Sequence, residues 1–307
     1  MNNKDIVFSA RNLSKQYKQL RALNSVNMEI KRGDIYGFVG ENGAGKTTLI
    51  RILTGLATQT GGEIALFGES QTANLPKQRR RIGGIVEIPA LYPNLTAAEN
   101  LEVCRLQRGI PGKDCIEETL KLVGLTDTGK RKAKNFSLGM KQRLGLAMAL
   151  LGDPEFLVLD EPVNGLDPAG IVEFRELLKR LNKERGITIL ISSHLLSELY
   201  QLATRYGFIH RGEMIEQITL EELDEKCKKH LRITVDDAPK AVTVLETVLN
   251  TQKFEVIPGN IIRLYDYLDR SIEVSKALFE GGVSIGEISV QGEDLEGYYM
   301  SLIGGAK

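Results

Sequence analysis

Along the first two thirds of the chain, apolar residues come either in short unbroken runs or at every third or fourth position. DIYGFVG (34–40), EFLVLD (155–160) and ITILISS (187–193) are unbroken runs bounded by turn residues. Such runs suit strands inside a parallel sheet that is covered on both faces. DPAGIVEFRELLKRL follows the other period, with Ile171, Phe174, Leu178 and Leu181 on one helical face. Asp167 is its predicted N-cap, and Pro168 its first residue, where a missing N–H costs little. KTTLIRILTGL, after the glycine-rich loop that ends the first run, predicts another helix, and GGEIALFG (61–68) a short strand.

Residues 91–150 carry a helical pattern without a convincing strand, which predicts a helical insertion in an α/β core. TAAE (96–99) fits a capping box, with Thr96 and Glu99 each satisfying the other's backbone donor. Beyond about residue 215 the pattern changes again. TLEE (219–222) suits a helix start, and LRITVD, APKAVTVLETVL, FEVI, IIRLYD and VSIGEISV then alternate strand and helix periods. The expected division is a core over 1–215 and a small α+β domain over 216–307.

Charge narrows the field of partners. Forty basic and forty acidic side chains cancel, so neither nucleic acid nor an anionic membrane surface is expected as the main partner. RRR (79–81) accordingly reads as a solvated surface run. Cys104, Cys115 and Cys227 lie far apart, as reduced thiols of a cytosolic protein do. No apolar run approaches the ~20 residues that span a bilayer, and MNNKDIVFSA lacks the apolar core of a secretory signal. If the protein works at a membrane, another chain is expected to supply the span.

The strongest chemical signal is GENGAGKT (40–47), which matches G-x-x-x-x-G-K-[ST] between a predicted strand and a predicted helix. Gly40, Gly43 and Gly45 let the backbone wrap a phosphate chain, flanked by Glu41, Asn42 and Ala44. Lys46 is placed to bridge phosphates, the Thr47 hydroxyl to ligate Mg²⁺, and Thr48 follows at the helix start. In EFLVLDEP, Asp160 ends a strand where a carboxylate can hold Mg²⁺ through water, and Glu161 next to it can take a proton from an attacking water. His194 ends the run ITILISSH, at the carboxyl end of a sheet strand where ligands bind in open α/β folds. KNFSLGMKQRLGLA (134–147) places Ser137 and Gly139 at a second helix start suited to an anion.

These motifs, in this order, resemble the ATP-binding subunits of ABC transporters over about residues 4–215. GENGAGKT resembles Walker A, FLVLDEP Walker B, NGLD (164–167) the D-loop and His194 the switch histidine. Tyr17 is similar to the aromatic that stacks on adenine. The resemblance implies a P-loop NTPase core with a helical subdomain (about 91–150) and an antiparallel β subdomain, bound ATP and Mg²⁺, and ATP hydrolysis.

FSLGM (136–140) stands where the family carries its signature, usually Leu-Ser-Gly-Gly-Gln. The resemblance therefore implies that Ser137 and Gly139 grip ATP held by a second copy, in a head-to-tail homodimer. Phe136, Leu138 and Met140 depart from that signature. Glu87 stands where the family usually has a glutamine touching Mg²⁺, and a carboxylate can still ligate the ion. Ile88 to Asn94 is either the docking groove for a membrane subunit or a loop tucked under its own helical segment. VEIPALYPNLTAAENL together with FSLGMKQRLGLA resembles the branch that exports bacitracin-like and lantibiotic peptides, conferring self-immunity or antibiotic resistance. The implied setting is the cytoplasmic face of the membrane, against separate polytopic subunits. An exporter of another compound, a non-transport ABC-type ATPase and a nucleotide sensor are the alternatives.

Overall fold

The computed structural model describes residues 5–292 and 295–305. The chain divides into two compact units after Leu220. In the first unit, β1 (Ile6–Tyr17), β2 (Leu20–Lys31) and β4 (Gly61–Leu66) form an antiparallel sheet in the order β2-β1-β4. A six-stranded sheet runs β5-β6-β7-β3-β8-β9, from β3 (Ile35–Val39), β5 (Ile82–Ile85), β6 (Phe156–Asp160), β7 (Thr188–Ser193), β8 (Arg205–His210) and β9 (Glu213–Thr219). Its strands pair parallel except for β9, which closes the edge antiparallel to β8. The unbroken apolar runs are β3, β6 and β7, and every residue of the three is buried. That follows from their central place in a sheet covered on both sides.

The two sheets meet through β2 and β9. Gln217 of β9 accepts from the Tyr36 hydroxyl (3.0 Å) and the Glu29 N–H (3.1 Å), and donates to the Asn27 carbonyl. Tyr36 is fully buried, and that burial pushes its phenol well above the ordinary range. This pairing of β9 explains why the core ends at 220. The expected boundary at 215 falls inside a strand that the core needs to cover its edge.

The helices follow their sequence signals closely. α1 (Lys46–Thr54) leaves the glycine loop and α2 (Leu75–Arg79) precedes β5. The helical region holds α3 (Ala97–Arg108), α4 (Asp114–Leu122) and α5 (Leu138–Leu150), with no strand of either sheet between residues 91 and 150. Thr96 and Glu99 form the capping box of α3, and the bonds that Thr96 gives its carboxylate hold Glu99 below the usual carboxylate range. α6 (Pro168–Arg185) starts where expected, with the Gly170 N–H donating to Asp167 at 3.1 Å. Phe174, Leu177, Leu178 and Leu181 are its buried face. α7 (Leu196–Tyr200) follows β7.

The arginine run differs from its expected role. Arg79 donates to the carbonyls of Leu53 and Ile52, closing the C-terminus of α1, while Arg81 grips Glu155 with two bonds and lies 3.6 Å over the Phe67 ring. Two of the three guanidiniums thus satisfy groups that the fold leaves unpaired, and only Arg80 is exposed.

α8 (Leu220–Cys227) leads into the second unit. There β10 (His230–Val235), α9 (Ala238–Thr247), β11 (Phe254–Ile257), β12 (Ile261–Leu264), α10 (Ser271–Glu280) and β13 (Ile285–Gln291) give a βαββαβ order, followed by α11 (Leu295–Gly305). The antiparallel sheet β11-β12-β10-β13 is a ferredoxin-like split βαβ arrangement. Leu231, Ile233, Ile262 and Leu264 bury one strand face in a core shared with Leu245, Val274 and Leu278 of the two helices. The opposite face carries Arg232 paired with Glu287 (3.1 Å).

Candidate active site

The glycine loop turns between β3 and α1, and two of its glycines are required for different reasons. Gly45 sits at φ 112°, a left-handed conformation, with the Ala22 carbonyl 2.7 Å from where a Cβ would lie. Gly40 is crowded instead, its Cβ position falling 2.6 Å from the Ile209 carbonyl. Lys46, 5% exposed, directs its ammonium back at the loop, 2.5 Å from the Gly40 carbonyl and 3.2 Å from that of Glu41. Ala44 is buried behind the loop. Glu41, Asn42, Gly43, Gly45, Lys46, Thr47 and Thr48 face a cleft of about 500 Å³, with Tyr17 and Glu161 also on its wall. Tyr17 is 40% exposed, which leaves an aromatic surface at the cleft, and the Lys15 ammonium sits 4.7 Å from its ring centre. Arg21 and Arg211 complete the rim; neither carried a sequence signal, because exposed arginines are common on any surface.

A second cleft of about 430 Å³ adjoins the first through Thr47 and Glu161. It brings together Thr47, Glu87, Asp160 and Glu161, which lie far apart in sequence. Asp160 is 1% exposed at the end of β6 and accepts from the Ser192 hydroxyl at 2.6 Å. The same Ser192 oxygen accepts from the Glu161 N–H at 3.0 Å. One buried hydroxyl on β7 therefore orients two consecutive acids on β6. Glu161 has φ 49°, a conformation that costs a non-glycine residue and persists where surroundings over-determine it. His194 Nδ1 bonds its Oε2 at 2.7 Å, while Lys46 Nζ stands at ion-pair distance, 3.4 Å, from the buried Oε1, which has no hydrogen-bond partner. Ser192 was missed in the sequence because a serine in ITILISS reads as strand punctuation. Gln142 on α5 also lines this cleft, 94% buried by its 6% exposure, with Oε1 lacking a hydrogen-bond partner.

Glu87 lies at the mouth of this cleft with φ 63° and its carboxylate paired with Arg51 of α1. The donor set is oxygen throughout: a hydroxyl and carboxylates, of which Asp160 is held rigidly. Hard oxygen donors of this kind fit Mg²⁺. Among the described residues no three acidic, histidine or cysteine side chains form a ready-made metal cage. This too fits Mg²⁺, which takes one or two protein ligands and completes its shell with water and substrate phosphates.

Ser137 and Gly139 line neither of these clefts. They face a separate hollow of about 690 Å³ beside Leu166 and Asp167. Ser137 caps α5 by accepting from the Met140 N–H at 3.3 Å, and it is exposed.

With this geometry in hand, the comparisons with known proteins are specific. The family described as ABC transporter matches residues 23–164. The bacitracin transport ATP-binding protein BcrA of Bacillus licheniformis is 46% identical over 299 residues, 97% of this chain and 98% of that protein. The lantibiotic transport ATP-binding protein SrtF of Streptococcus pyogenes is 47% identical over 204 residues, 66% of this chain and 87% of that protein. Among solved structures, the dimeric post-hydrolysis state of the ATP-binding cassette MJ0796, bound to ADP and Pi, aligns with TM-score 0.63 and 28% identity over 69% of this chain and 98% of that one. The cassette cbiO1 from Clostridium perfringens aligns with TM-score 0.66 and 26% identity over 80% of this chain and 97% of that one.

Proposed function

This chain belongs to the ATP-binding subunits of ABC transporters, and we propose from that premise that it powers export of bacitracin-like or lantibiotic peptides through separate membrane subunits. It is a nucleotide-binding ATPase. The cargo reading is supported by the match to BcrA, which runs the length of both chains and so includes nearly all of residues 221–307. The match to SrtF covers 66% of the chain, which makes the bacitracin-type relatives the better guide to the whole protein.

The observation that carries the hydrolytic mechanism is Glu161, held between Lys46 and His194 at the junction of the two clefts. ATP lies along the glycine loop, its phosphates on the backbone N–H groups and the α1 N-terminus, its base against Tyr17. Lys46 turns its ammonium from the loop carbonyls to the phosphates. Glu161 accepts the proton of the attacking water, and His194 keeps the carboxylate and that water in line. Thr47 and Asp160 would hold Mg²⁺, while Glu87 lines the same cleft with its carboxylate on Arg51; the ion would supply positive charge to offset the negative charge developing on the transferred phosphoryl group. Ser137 and Gly139 of a second copy grip the same triphosphate, so ATP fastens two chains that otherwise attract weakly. Closing this pair pulls on membrane subunits docked at the cytoplasmic face. No described helix is long and apolar enough to cross a membrane itself.

Glu161→Gln tests the mechanism. The variant is expected to bind ATP with wild-type affinity and lose ~10²–10⁴-fold in turnover, the usual contribution of a general base. Turnover within a few-fold of wild type would reject Glu161 as the base. Expressing the chain with its membrane subunits in a bacitracin-sensitive host tests the cargo: resistance should rise with the wild type and not with Glu161→Gln.

A further inference from the structure

Three carboxylates line the cleft of about 430 Å³, and a triphosphate would add further negative charge beside them. Two have their own partners: Ser192 for Asp160, and Lys46 with His194 for Glu161. The third, Glu87, is paired with Arg51. Arg51 lies on α1, one helical turn beyond Thr47, so it projects from the same helix that receives the phosphates. Glu87 itself occupies a left-handed backbone position that a glutamate adopts at a cost, and the ion pair is what engages its side chain there.

The segment that follows is fastened as firmly. Pro89 lies against Gly145 of α5, where a Cβ would come within 2.6 Å of the proline ring. The buried Asn100 side chain of α3 accepts from the Tyr92 N–H at 2.7 Å and donates to its carbonyl at 3.1 Å. Residues 87–92 are thus a strap fixed on α3 and α5 at one end and on α1, through Arg51, at the other.

We propose that Arg51 is a positioning residue for Glu87: it neutralises the third carboxylate of the cleft and fixes it to the phosphate-binding helix, so that Mg-ATP can bind beside it. This rests on the reading of that cleft as the Mg-nucleotide site. Both side chains are partly solvated, 41% and 54% exposed, so water and salt screen the charge and the effect is moderate.

The test is a double-mutant cycle on the full chain with Arg51→Met, Glu87→Gln and the double variant, plus Arg51→Lys. The readout is equilibrium binding of fluorescent mant-ATP with Mg²⁺, measured alongside steady-state turnover. Arg51→Met should weaken binding roughly fivefold, from the unpaired charge left near the phosphates. In the Glu87→Gln background the same change should alter affinity less than about twofold, and Arg51→Lys should restore most of the loss. The coupling should also shrink in high salt. Equal losses in both backgrounds, or no loss in either, would overturn the proposal while leaving the cleft reading intact. A wild-type chain that fails to bind mant-ATP would overturn both.

Discussion

Gly139→Asp tests the proposed second anion site most cleanly, because the position has room for a side chain and the change is chiefly one of charge. Gly139 is the second residue of α5, and the nearest atom to a Cβ built there is Leu166 Cδ2 at 3.8 Å, an ordinary contact. Replacing this glycine by aspartate gains only about 0.1–0.3 kcal/mol in intrinsic helix propensity. A carboxylate in the first turn gains another ~0.3–1 kcal/mol from the helix dipole. The isolated chain should therefore melt at or slightly above the wild-type temperature and bind mant-ATP with unchanged affinity, since Gly139 lines neither P-loop cleft. Association should behave oppositely. Two unit charges at a contact distance of about 4 Å repel by ~4 kcal/mol at an effective dielectric of 20. Allowing for screening and a bound cation, roughly 2–4 kcal/mol per site remains, a loss of ~30–1,000-fold in each of two sites. The assay is sedimentation velocity in the Glu161→Gln background with saturating Mg-ATP, where the parent should run as a dimer. A dimer fraction unchanged by the aspartate would refute the proposal that Ser137 and Gly139 grip a partner's nucleotide. Loss of mant-ATP binding by the monomer would refute it in another way, by showing that this helix start serves the chain's own site.

Ser192→Ala removes a charge-assisted bond to a buried carboxylate, costing about 1.5–3 kcal/mol in stability, and it frees two acids that need fixed positions. Turnover should fall at least ~10-fold with ATP affinity held, and Ser192→Thr should recover it; turnover equal to wild type would show that the hydroxyl serves packing alone. Acid should expose the Glu155 pair. Hydrogen bonds from Arg81, then Arg32, hold this carboxyl at about 2 against an ordinary 4.5. Its folded pKa is depressed, so its contribution is full above pH ~4.5 and fades as pH falls towards 2. The melting temperature of wild type should drop more steeply than that of Glu155→Gln between pH 4.5 and 3; parallel slopes would contradict the assignment.

Much of the site could be read from the sequence because its parts are local. A P-loop is one turn between one strand and one helix, and the caps Thr96, Asp167 and Ser137 act within three residues of themselves. Readings failed where a residue's partner lies far along the chain. Arg79 and Arg81 look like a solvated run until the fold brings the Ile52 and Leu53 carbonyls and Glu155 to them. Arg51 and Glu87 are 36 residues apart, and Ser192 lies 32 residues from Asp160. The hairpin of β1 and β2 was hard to see for a different reason. Register shifts between Ala10 and Leu13 and around Lys15, with left-handed backbone at Asn12 and Ser25, interrupt the two-residue alternation that marks a strand.

The departures at FSLGM bear on how strongly a partner's nucleotide would be held, and the structure sorts them by what each side chain touches. Phe136 is 5% exposed, with the Arg131 guanidinium 5.8 Å from its ring centre, so it anchors the loop before α5 and offers nothing to a ligand. The side chain of Met140 lies near that same guanidinium at 3.9 Å, while its backbone N–H donates to Ser137. Neither change alters the backbone donors at the helix start, since an N–H is supplied by any residue other than proline, although Met140 in place of the usual glutamine removes a side-chain amide. Leu138 is different. It is 46% exposed and lines both the hollow beside Ser137 and the cleft that holds Glu87 and Glu161. An apolar side chain at that point excludes water from the seam without adding a donor, which strengthens the electrostatic contacts around it. We propose on this reasoning that Ser137 and Gly139 keep the polar grip of the family's signature and that Leu138 substitutes desolvation for its missing first glycine. Leu138→Gly should then loosen ATP-dependent association while leaving mant-ATP binding by the monomer unchanged, and tighter association in that variant would show that the leucine obstructs the seam instead.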